Sequence, residues 1–379
     1  MQANNEAKLV LPPQTIGIIG GGQLGRMMAI AARYNGYRIV VLDPTPNCPT
    51  AQVSDEQIVA AYDDMDAIKE LTEKSDVVTY EFENVDLEAA RYIESKGKLP
   101  QGAYALKITQ NREAEKTLMH EANLPVAPFS IVTNEAELRE ALTKTNFPAV
   151  IKTCTGGYDG KGQLKLESET DTEAALQFVG QGGSFIIEEW ISFDTEISVV
   201  FTRSIDGEIT YFPLAQNEHK DHILHKTYAP AAVSEAVKEK AFQAAKTLAD
   251  KVNVVGTFTI EMFVKGEAIY INEMAPRPHN SGHYTIEACN VSQFSQHIRA
   301  ICGLTLPEVE QLNEAMMINV LGEDMPRALA AFNKLAEASV HLYGKDEAKE
   351  KRKMGHVTFT AKDYEDLLTL VQSYEEDLL

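Results

Sequence analysis

The chain has 379 residues, 44% of them apolar, and this length predicts two or three domains. Its formal net charge of −21 would repel a polyanion, which excludes nucleic acid as a partner. No apolar run reaches the ~18 residues of a membrane span and the N-terminus lacks a signal-peptide core, which predicts a cytoplasmic protein without membrane contact. Four cysteines without CxxC spacing argue against a disulfide framework and a zinc site.

The first predicted unit is a strand, a glycine-rich turn and a helix. A buried strand over Thr15–Gly20 leads into Gly20, Gly22 and Gly25, which match G-x-G-x-x-G, and a second strand ends at Asp43. This is the dinucleotide-binding pattern, although glycines and free helix N–H groups can hold any phosphorylated ligand. An NAD-dependent dehydrogenase that uses Asp43 is therefore open at this point.

Strands and helices continue to alternate as far as about residue 100, which predicts parallel βαβ units. Glu81 and Glu83 stand at the end of a strand, where open α/β sheets bind ligands, but they are also an ordinary polar end to a strand. The periodicity lapses near Leu99–Ala105, so the first domain boundary is placed there.

A lysine within an apolar strand precedes a glycine-rich loop. The charged helix predicted over Thr109–Ala122 carries Arg112 near its start, and the short strand Phe147–Cys154 carries Lys152. A lysine in such a strand is costly unless it meets an anion. Thr155–Gln163 contains four glycines, so we predict a flexible flap whose amides wrap phosphate oxygens, although the G-K-[ST] ending of a P-loop is absent.

The next strand and the loop after it offer weaker signals. Phe185–Ile191 predicts a buried strand that ends in two acids and the only tryptophan, and it could present backbone groups and apolar contacts to an adenine edge. His219, His222 and His225 are spaced three apart, but the strand-like residues that follow favour a loop over a helix that binds metal.

Two carboxylates are predicted to meet on a hairpin. Thr257–Val264 alternates, a turn is predicted at Lys265-Gly266-Glu267, and Ala268–Met274 forms the return strand. A three-residue turn would make Glu261 and Glu273 diagonal neighbours on one face. Paired carboxylates suit Mg²⁺, which prefers oxygen ligands and accepts substrate phosphates.

Two groups of anion-binding residues follow this hairpin. The run Arg277–His283 comes directly after it, and together they indicate a nucleoside triphosphate site with a second, anionic substrate; a solvated hairpin with a polar exit loop is the alternative. Lys345 and the run Lys349–Lys353 then form the strongly basic patch of an acidic chain, in a predicted tight turn between strands. An anion-binding role and an ordinary solvated surface are both open for this patch.

In this order, the motifs resemble the ATP-grasp ligases. The stretches GGGQLGRM, TYEFENV, TGGYDGKGQ, NEMAPRPHNSGH and KRKMGHVTF are similar to those of the 5-(carboxyamino)imidazole ribonucleotide synthases, and the resemblance runs from about Thr15 to Thr360. It implies an α/β and α+β chain with the ATP-grasp fold. Its parts would be a Rossmann-like domain at 1–104, an ATP-grasp domain of two subdomains at 105–312, and a small β-rich C-terminal domain at 313–379.

The resemblance also implies roles for individual residues. The implied ATP-binding residues are Arg112, Lys152, Gly157, Tyr158, Asp159, Gly160, Lys161, Gly162, Gln163, Glu188, Glu189, Trp190, Ile191, Glu196, His219, Asn272 and Glu273. The implied substrate-binding residues are Gln23, Leu24, Glu81, Tyr158, Asp159, Arg277, His279, Asn280, Ser281, Lys345 and Arg352. Lys152 and Arg277 would be catalytic, and Glu261 and Glu273 would hold Mg²⁺. Ala275 stands where many ATP-grasp enzymes have an asparagine, which puts a third protein ligand to the metal in doubt.

The implied activity is that of an ATP-dependent C–N ligase in purine synthesis. Bicarbonate would attack the ATP γ-phosphoryl group to form carboxyphosphate, and the amine of aminoimidazole ribonucleotide would accept the carboxyl group while the glycine flap excludes water. The predicted partners are small molecules and a second copy of the chain in a homodimer; the homodimer has no support in the sequence itself.

Three alternatives to this activity are open. An NAD-dependent dehydrogenase leaves Lys152, Glu261 and Glu273 unexplained, and a nucleotide-sensing module would bind ATP without catalysis. Another ATP-grasp ligase is also possible, such as a formate-dependent glycinamide ribonucleotide transformylase or a biotin carboxylase. The run Arg277–His283 and the short C-terminal region argue against both of these ligases.

Overall fold

The structure is a computed structural model that describes residues 9–156 and 162–378. Within those ranges the strands are β1 (Thr15–Ile19), β2 (Arg38–Leu42), β3 (Glu56–Ile58), β4 (Val77–Tyr80), β5 (Phe129–Val132), β6 (Ala149–Thr153), β7 (Gln163–Leu166), β8 (Phe185–Glu189), β9 (Thr195–Arg203), β10 (Ile209–Tyr211), β11 (Ala215–Lys220), β12 (Ile223–Ala229), β13 (Gly256–Lys265), β14 (Ala268–Ala275), β15 (Glu314–Leu321), β16 (Ala338–Leu342) and β17 (Lys353–Ala361). The α-helices there are α1 (Gln23–Tyr34), α2 (Met65–Lys74), α3 (Leu87–Ser95), α4 (Ala103–Thr109), α5 (Arg112–Glu121), α6 (Glu135–Leu142), α7 (Thr172–Val179), α8 (Glu235–Val252), α9 (Thr285–Ala288), α10 (Gln293–Ile301), α11 (Met325–Ala331) and α12 (Tyr364–Leu378).

The N-terminal region forms a four-stranded parallel sheet in the order β3-β2-β1-β4. Strands β1, β2 and β4 are short, largely buried apolar runs, as expected for a parallel sheet that is covered on both faces. One face packs against α1 and α10, and the other packs against α2, α3 and α4. The predicted βαβ units are confirmed, and this sheet holds the glycine turn at the carboxyl end of β1.

A smaller antiparallel sheet has the order β5-β8-β6-β7. Helices α6 and α7 cover one of its faces through a cluster that includes Leu138, Leu176 and Phe185. The predicted strands around Lys152 and Glu188 are therefore neighbours, since β6 and β8 pair directly and Val150 lies opposite Glu188. Gly157–Lys161, the centre of the predicted flap, lies outside the described residues.

The largest sheet has nine strands in the order β14-β13-β9-β11-β12-β15-β17-β16, with β10 paired to β9. Helix α8 packs against it through a cluster in which Ala245, Leu248 and Phe258 are fully buried. The C-terminal strands join this sheet because β15 pairs with β12. Among the described residues, no helix is long and apolar enough to cross a membrane.

Candidate active site

A cleft of about 780 Å³ lies between the small antiparallel sheet and the nine-stranded sheet. Strands β6 and β8 form one wall, and β9, β13 and β14 form the opposite wall. The predicted ATP residues that line it are Arg112, Lys152, Gln163, Glu188, Glu189, Trp190, Ile191, Glu196, His219, Asn272 and Glu273. The predicted substrate residues Arg277, His279 and Asn280 and the carboxylate Glu261 line it as well. Tertiary structure thus collects residues from six separate stretches of the sequence in one cavity.

The hairpin of β13 and β14 places its two carboxylates directly opposite each other. Lys265 pairs with Ala268, so the turn has two residues rather than the predicted three. Continued without interruption, that register would put Glu261 opposite Asn272. A register shift beside Glu261 instead pairs Glu261 with Glu273. The irregularity leaves Asn272 as an extra residue, which turns Glu273 to the same face as Glu261. The predicted diagonal arrangement was therefore wrong, and the pair is closer.

The two carboxylates of the hairpin lie close enough to disfavour each other's charge. Burial and the facing charge of Glu273 raise the pKa of Glu261 to about 7. The Arg112 guanidinium lies 3.5 Å from Glu273, and the His279 Nε2 atom lies 3.6 Å from Glu261. Carboxylates that repel each other in this way fit a divalent cation with oxygen ligands. No cluster of three or more metal-binding side chains occurs among the described residues.

A buried carboxylate joins two lysines in the opposite wall. The Glu188 carboxylate accepts from Lys152 Nζ at 2.6 Å and from Lys116 Nζ at 2.8 Å. Burial alone would raise the pKa of Glu188, but the two ammonium groups outweigh it and hold the pKa at about 2. The cost of placing Lys152 in an apolar strand is therefore offset within the protein, and the three groups together carry one net positive charge towards the cleft.

The run after the hairpin is fixed by buried hydrogen bonds. Arg277 donates from Nε to Glu83 at 2.7 Å, and His279 and the Ser281 hydroxyl are 2.8 Å apart. Burial, and then the Arg277 charge, lower the pKa of His279 well below its usual value. Asn280 exchanges two amide hydrogen bonds with Asn319, at 3.0 and 2.8 Å. The side chains of Asn280 and Ser281 therefore support the loop, and their contact with substrate remains a prediction.

The glycine turn after β1 uses its N–H donors within the protein. Glu81 accepts from the Gly22 and Gly25 amides. Asp43 accepts from Gly21 N at 2.7 Å and from the Tyr62 hydroxyl at 2.6 Å. An NAD-dependent dehydrogenase would need these amides for pyrophosphate and this carboxylate for ribose, so the geometry argues against that interpretation. The Leu24 side chain is buried in the core, which leaves its backbone for any contact with substrate.

The basic segment near the C-terminus lies close to this turn. It is the loop between β16 and β17 (residues 343–352), longer than the predicted tight turn. Gln52, in the segment after β2, donates to the Gly344 carbonyl at 2.8 Å and so links this loop to the N-terminal region. Lys345 donates to the Lys353 carbonyl at 2.7 Å, and Arg352 donates to the Glu347 carbonyl at 3.0 Å. Burial, and then the Arg352 charge, lower the pKa of Lys345 to about 8.

The three histidines around residue 222 belong to a β-hairpin, as the strand-like sequence indicated. His219 lies on β11, His225 lies on β12, and Asp221 and His222 form the turn. His219 is paired with Glu196 on the neighbouring strand β9. Both line the cleft, so two of the residues predicted for the ATP site are in contact with each other.

Several cleft residues were not identified from the sequence. Lys116 lines the cavity, and Phe193 and Phe263 stack there with ring centroids 4.6 Å apart. Lys353, from the basic run that the sequence did single out, lines it too. Lys116 stands four residues after Arg112 on α5, so helical spacing could have placed both on one face. The two phenylalanines carried no such signal, because the residues around Phe193 look like an ordinary loop and those around Phe263 look like an ordinary strand.

Family models match three consecutive parts of the chain. Residues 13–110 match the ribonucleotide synthetase preATP-grasp domain, residues 117–294 match the ATP-grasp domain, and residues 315–369 match the phosphoribosylaminoimidazole carboxylase C-terminal domain. The chain is 47% identical over 353 residues to the N5-carboxyaminoimidazole ribonucleotide synthase of Bacillus subtilis (strain 168), with 93% of each chain covered.

Solved structures of similar proteins agree with these matches. An ADP complex of an N5-carboxyaminoimidazole ribonucleotide synthetase superposes with a TM-score of 0.94 at 50% identity and covers 97% of this chain and 98% of its own. The Aspergillus clavatus N5-carboxyaminoimidazole synthase, solved with ADP and 5-aminoimidazole ribonucleotide, superposes with a TM-score of 0.89 at 31% identity and covers 96% and 98%.

Proposed function

The chain belongs to the N5-carboxyaminoimidazole ribonucleotide synthases, a family of ATP-grasp ligases, and we propose from this premise how its cleft performs the reaction. The enzyme carboxylates 5-aminoimidazole ribonucleotide with bicarbonate in an ATP-dependent step of purine biosynthesis. The observation that supports this assignment in the molecule itself is the single cavity that Lys152, the facing carboxylates Glu261 and Glu273, and Arg277 all line.

ATP is proposed to lie along the wall formed by β6 and β8. Trp190 and Ile191, which follow β8, would flank the adenine, and the pair of Glu196 and His219 would meet the ribose hydroxyls. Lys152 and Arg112 would contact the phosphates. Their positive charge would stabilise the negative charge that develops on the equatorial phosphoryl oxygens during transfer.

Glu261 and Glu273 are proposed to hold Mg²⁺, and the structure fits that proposal. Burial, and then the facing charge of Glu273, raise the pKa of Glu261 to about 7, and a bound divalent cation would lower it. When bound, the ion would neutralise phosphate charge. Ala275 contributes no oxygen side chain, so the remaining ligands would come from phosphate and water.

The ribonucleotide is proposed to lie between the glycine turn and the basic loop. Lys345 and Arg352 would supply counter-charge for its 5′-phosphate, and Glu81 and Gln23 would approach it from the turn. Arg277, His279 and the loop they belong to would place its amine near the carboxylate pair. An arginine suits phosphate or carboxylate oxygens because its planar donors match their geometry.

The chemistry proposed for these parts has two steps. An oxygen of bicarbonate attacks the γ-phosphorus of ATP, the bond to the bridging oxygen breaks, and ADP leaves from carboxyphosphate. The exocyclic amine then attacks the carboxyl carbon, phosphate leaves, and the amine gives up a proton. Carboxyphosphate hydrolyses readily, so the loop 155–163 is proposed to close over it before the second step.

Coupled measurement of ADP release tests this function. ADP should form rapidly only when ATP, bicarbonate and 5-aminoimidazole ribonucleotide are all present, and the carboxylated ribonucleotide should form in equal amount. ADP formation that depends on formate and glycinamide ribonucleotide would instead indicate the alternative transformylase. Binding of ATP without any ADP release would indicate a nucleotide-sensing module.

Three further assignments extend the proposal beyond the site. Residues 1–104, 105–312 and 313–379 would form the Rossmann-like, ATP-grasp and C-terminal domains. The enzyme would be a cytoplasmic homodimer. Sedimentation of the purified protein would report a mass of about twice 41.9 kDa if it is a dimer, and a mass near one chain would contradict it.

A further inference from the structure

Helix α5 carries a buried lysine that the proposed function does not use. The Lys116 side chain is nearly inaccessible to solvent, and its ammonium group lies 2.8 Å from the Glu188 carboxylate and 3.1 Å from the Ile271 carbonyl. Glu188 belongs to β8 in one wall of the cleft, and Ile271 belongs to β14 in the other. Lys116 therefore joins the two walls at the floor of the proposed ATP site.

The second partner of Glu188 is the lysine proposed to bind ATP. Lys152 lies 2.6 Å from the other carboxylate oxygen, and it is more exposed than Lys116, at 17% against 4% for the side chain. If Lys152 leaves Glu188 to bind a phosphate, the buried carboxylate needs another positive charge beside it. An unpaired buried charge is strongly unfavourable. With only one lysine beside it, Glu188 would compete with ATP for Lys152.

We propose that Lys116 is a positioning residue that keeps Glu188 paired while Lys152 turns from Glu188 to the ATP phosphates, an inference that rests on the proposed role of Lys152. The low pKa of Glu188 supports it, since the carboxylate stays charged and needs a partner at every working pH. Lys116 itself stays on Glu188 and Ile271 and does not touch the nucleotide. Its contribution is to make Lys152 available.

A double-mutant cycle tests this role. The variants are Lys116→Met, Glu188→Gln and the two combined, each assayed for ADP release at saturating ribonucleotide and bicarbonate with ATP varied. Lys116→Met should raise the KM for ATP at least tenfold, with a smaller change in kcat, because Glu188 then retains Lys152. On the Glu188→Gln background the same substitution should change the KM for ATP less than threefold, because no carboxylate is left to compete.

A different outcome would overturn the inference. If Lys116→Met raises the KM for ATP equally on both backgrounds, Lys116 contacts ATP or acts without Glu188. If Lys116→Met leaves the KM for ATP unchanged on the wild-type background, it has no positioning role. Should Lys116→Met alone fail to fold, the comparison of Glu188→Gln with the double variant still decides between an indirect role and a direct contact.

Two controls separate this inference from other failures. Lys144→Met removes an exposed lysine that pairs with Glu140 on α6, away from the cleft, and should leave the KM for ATP unchanged. If the unmodified enzyme releases no ADP in response to bicarbonate and ribonucleotide, the proposed function fails. If the unmodified enzyme is active and the cycle shows no coupling, only the role of Lys116 fails.

Discussion

The glycine turn after β1 and the hairpin of β13 and β14 both bring carboxylates to a proposed ligand site, but they differ in how those carboxylates are paired. At the turn, Glu81 and Asp43 accept hydrogen bonds from backbone amides and a tyrosine hydroxyl. At the hairpin, Glu261 faces Glu273. The turn matches a well-known binding motif, but its amide donors already form hydrogen bonds with carboxylates of the protein. The hairpin matches a weaker pattern, but it sets two carboxylates opposite each other with the Arg112 guanidinium 3.5 Å from Glu273, so it is the better indicator of a cation and a nucleotide.

Removing the charge of one carboxylate of the hairpin should therefore have the largest effect on turnover. Glu273→Gln, or Glu261→Gln, should lower kcat at least a hundredfold, about 3 kcal/mol in the transition state, and leave the fold intact. Coupled ADP release at saturating Mg²⁺ measures the rate. Glu267→Gln is the matched control, because this residue lies in the exposed turn of the same hairpin and should keep the wild-type rate. Retention of more than about a tenth of the rate by Glu273→Gln would defeat the assignment.

Lys152→Met should have the next largest effect. Loss of the phosphate contact should reduce ADP production by well over tenfold and weaken ATP binding, which fluorescence of Trp190 can follow. The thermal midpoint should hardly fall, because Lys116 still pairs with Glu188 after the change. A variant that unfolds more easily but turns over normally would show that Lys152 is structural.

Arg352→Ala tests whether the basic loop serves the ribonucleotide rather than ATP. The KM for the ribonucleotide should rise tenfold or more, since loss of a hydrogen bond to a charged group costs roughly 1.5–3 kcal/mol. The KM for ATP should hardly change. Lys349→Ala provides a control in the same loop, because the exposed Lys349 pairs with Glu347. Loss of ATP affinity instead would move the loop into the nucleotide site.

Asp43→Asn tests the glycine turn, where the carboxylate is expected to stabilise the fold rather than to bind a ligand. Asn offers one acceptor atom where the carboxylate offers two, so the free energy of unfolding should fall by about 1–2 kcal/mol, measured by chemical denaturation. The KM values for ATP and the ribonucleotide should stay within about threefold of wild type. A large loss of turnover without loss of stability would mean that Asp43 has a role in binding.

The pH dependence of ribonucleotide binding should show the smallest effect. Burial lowers the pKa of Lys345 to about 8, so this side chain is charged below that pH and neutral above it. The KM for the ribonucleotide should therefore rise several-fold between pH 7.5 and 9, because about a tenth of the lysines stay protonated one unit above their pKa. The Lys345→Met variant should lose this rise. A KM that is flat up to pH 9 in the unmodified enzyme would contradict the role of Lys345.

The sequence by itself determined the order of the elements and pointed to many of the charged residues that line the cleft. Apolar runs with period two or 3.6 located the strands and helices, because each element has to bury one face. The lysine strand and the carboxylates Glu261 and Glu273 stood out because charged groups are costly in such elements unless they meet a partner. The family resemblance then connected these motifs to ATP, bicarbonate and the ribonucleotide, and the similar proteins confirmed the family.

Only the tertiary structure decided which of these groups share a partner. Local pattern does not report an irregularity in a strand, and it is the shift beside Glu261 that turns Glu273 towards it. Local pattern also does not report that Glu81 closes the glycine turn, or that Lys116 and Lys152 meet on Glu188. The contacts of Glu81 and Glu188 join residues that are far apart in the chain. Their energy depends on burial and on the distance between charges, which are properties of the folded chain alone.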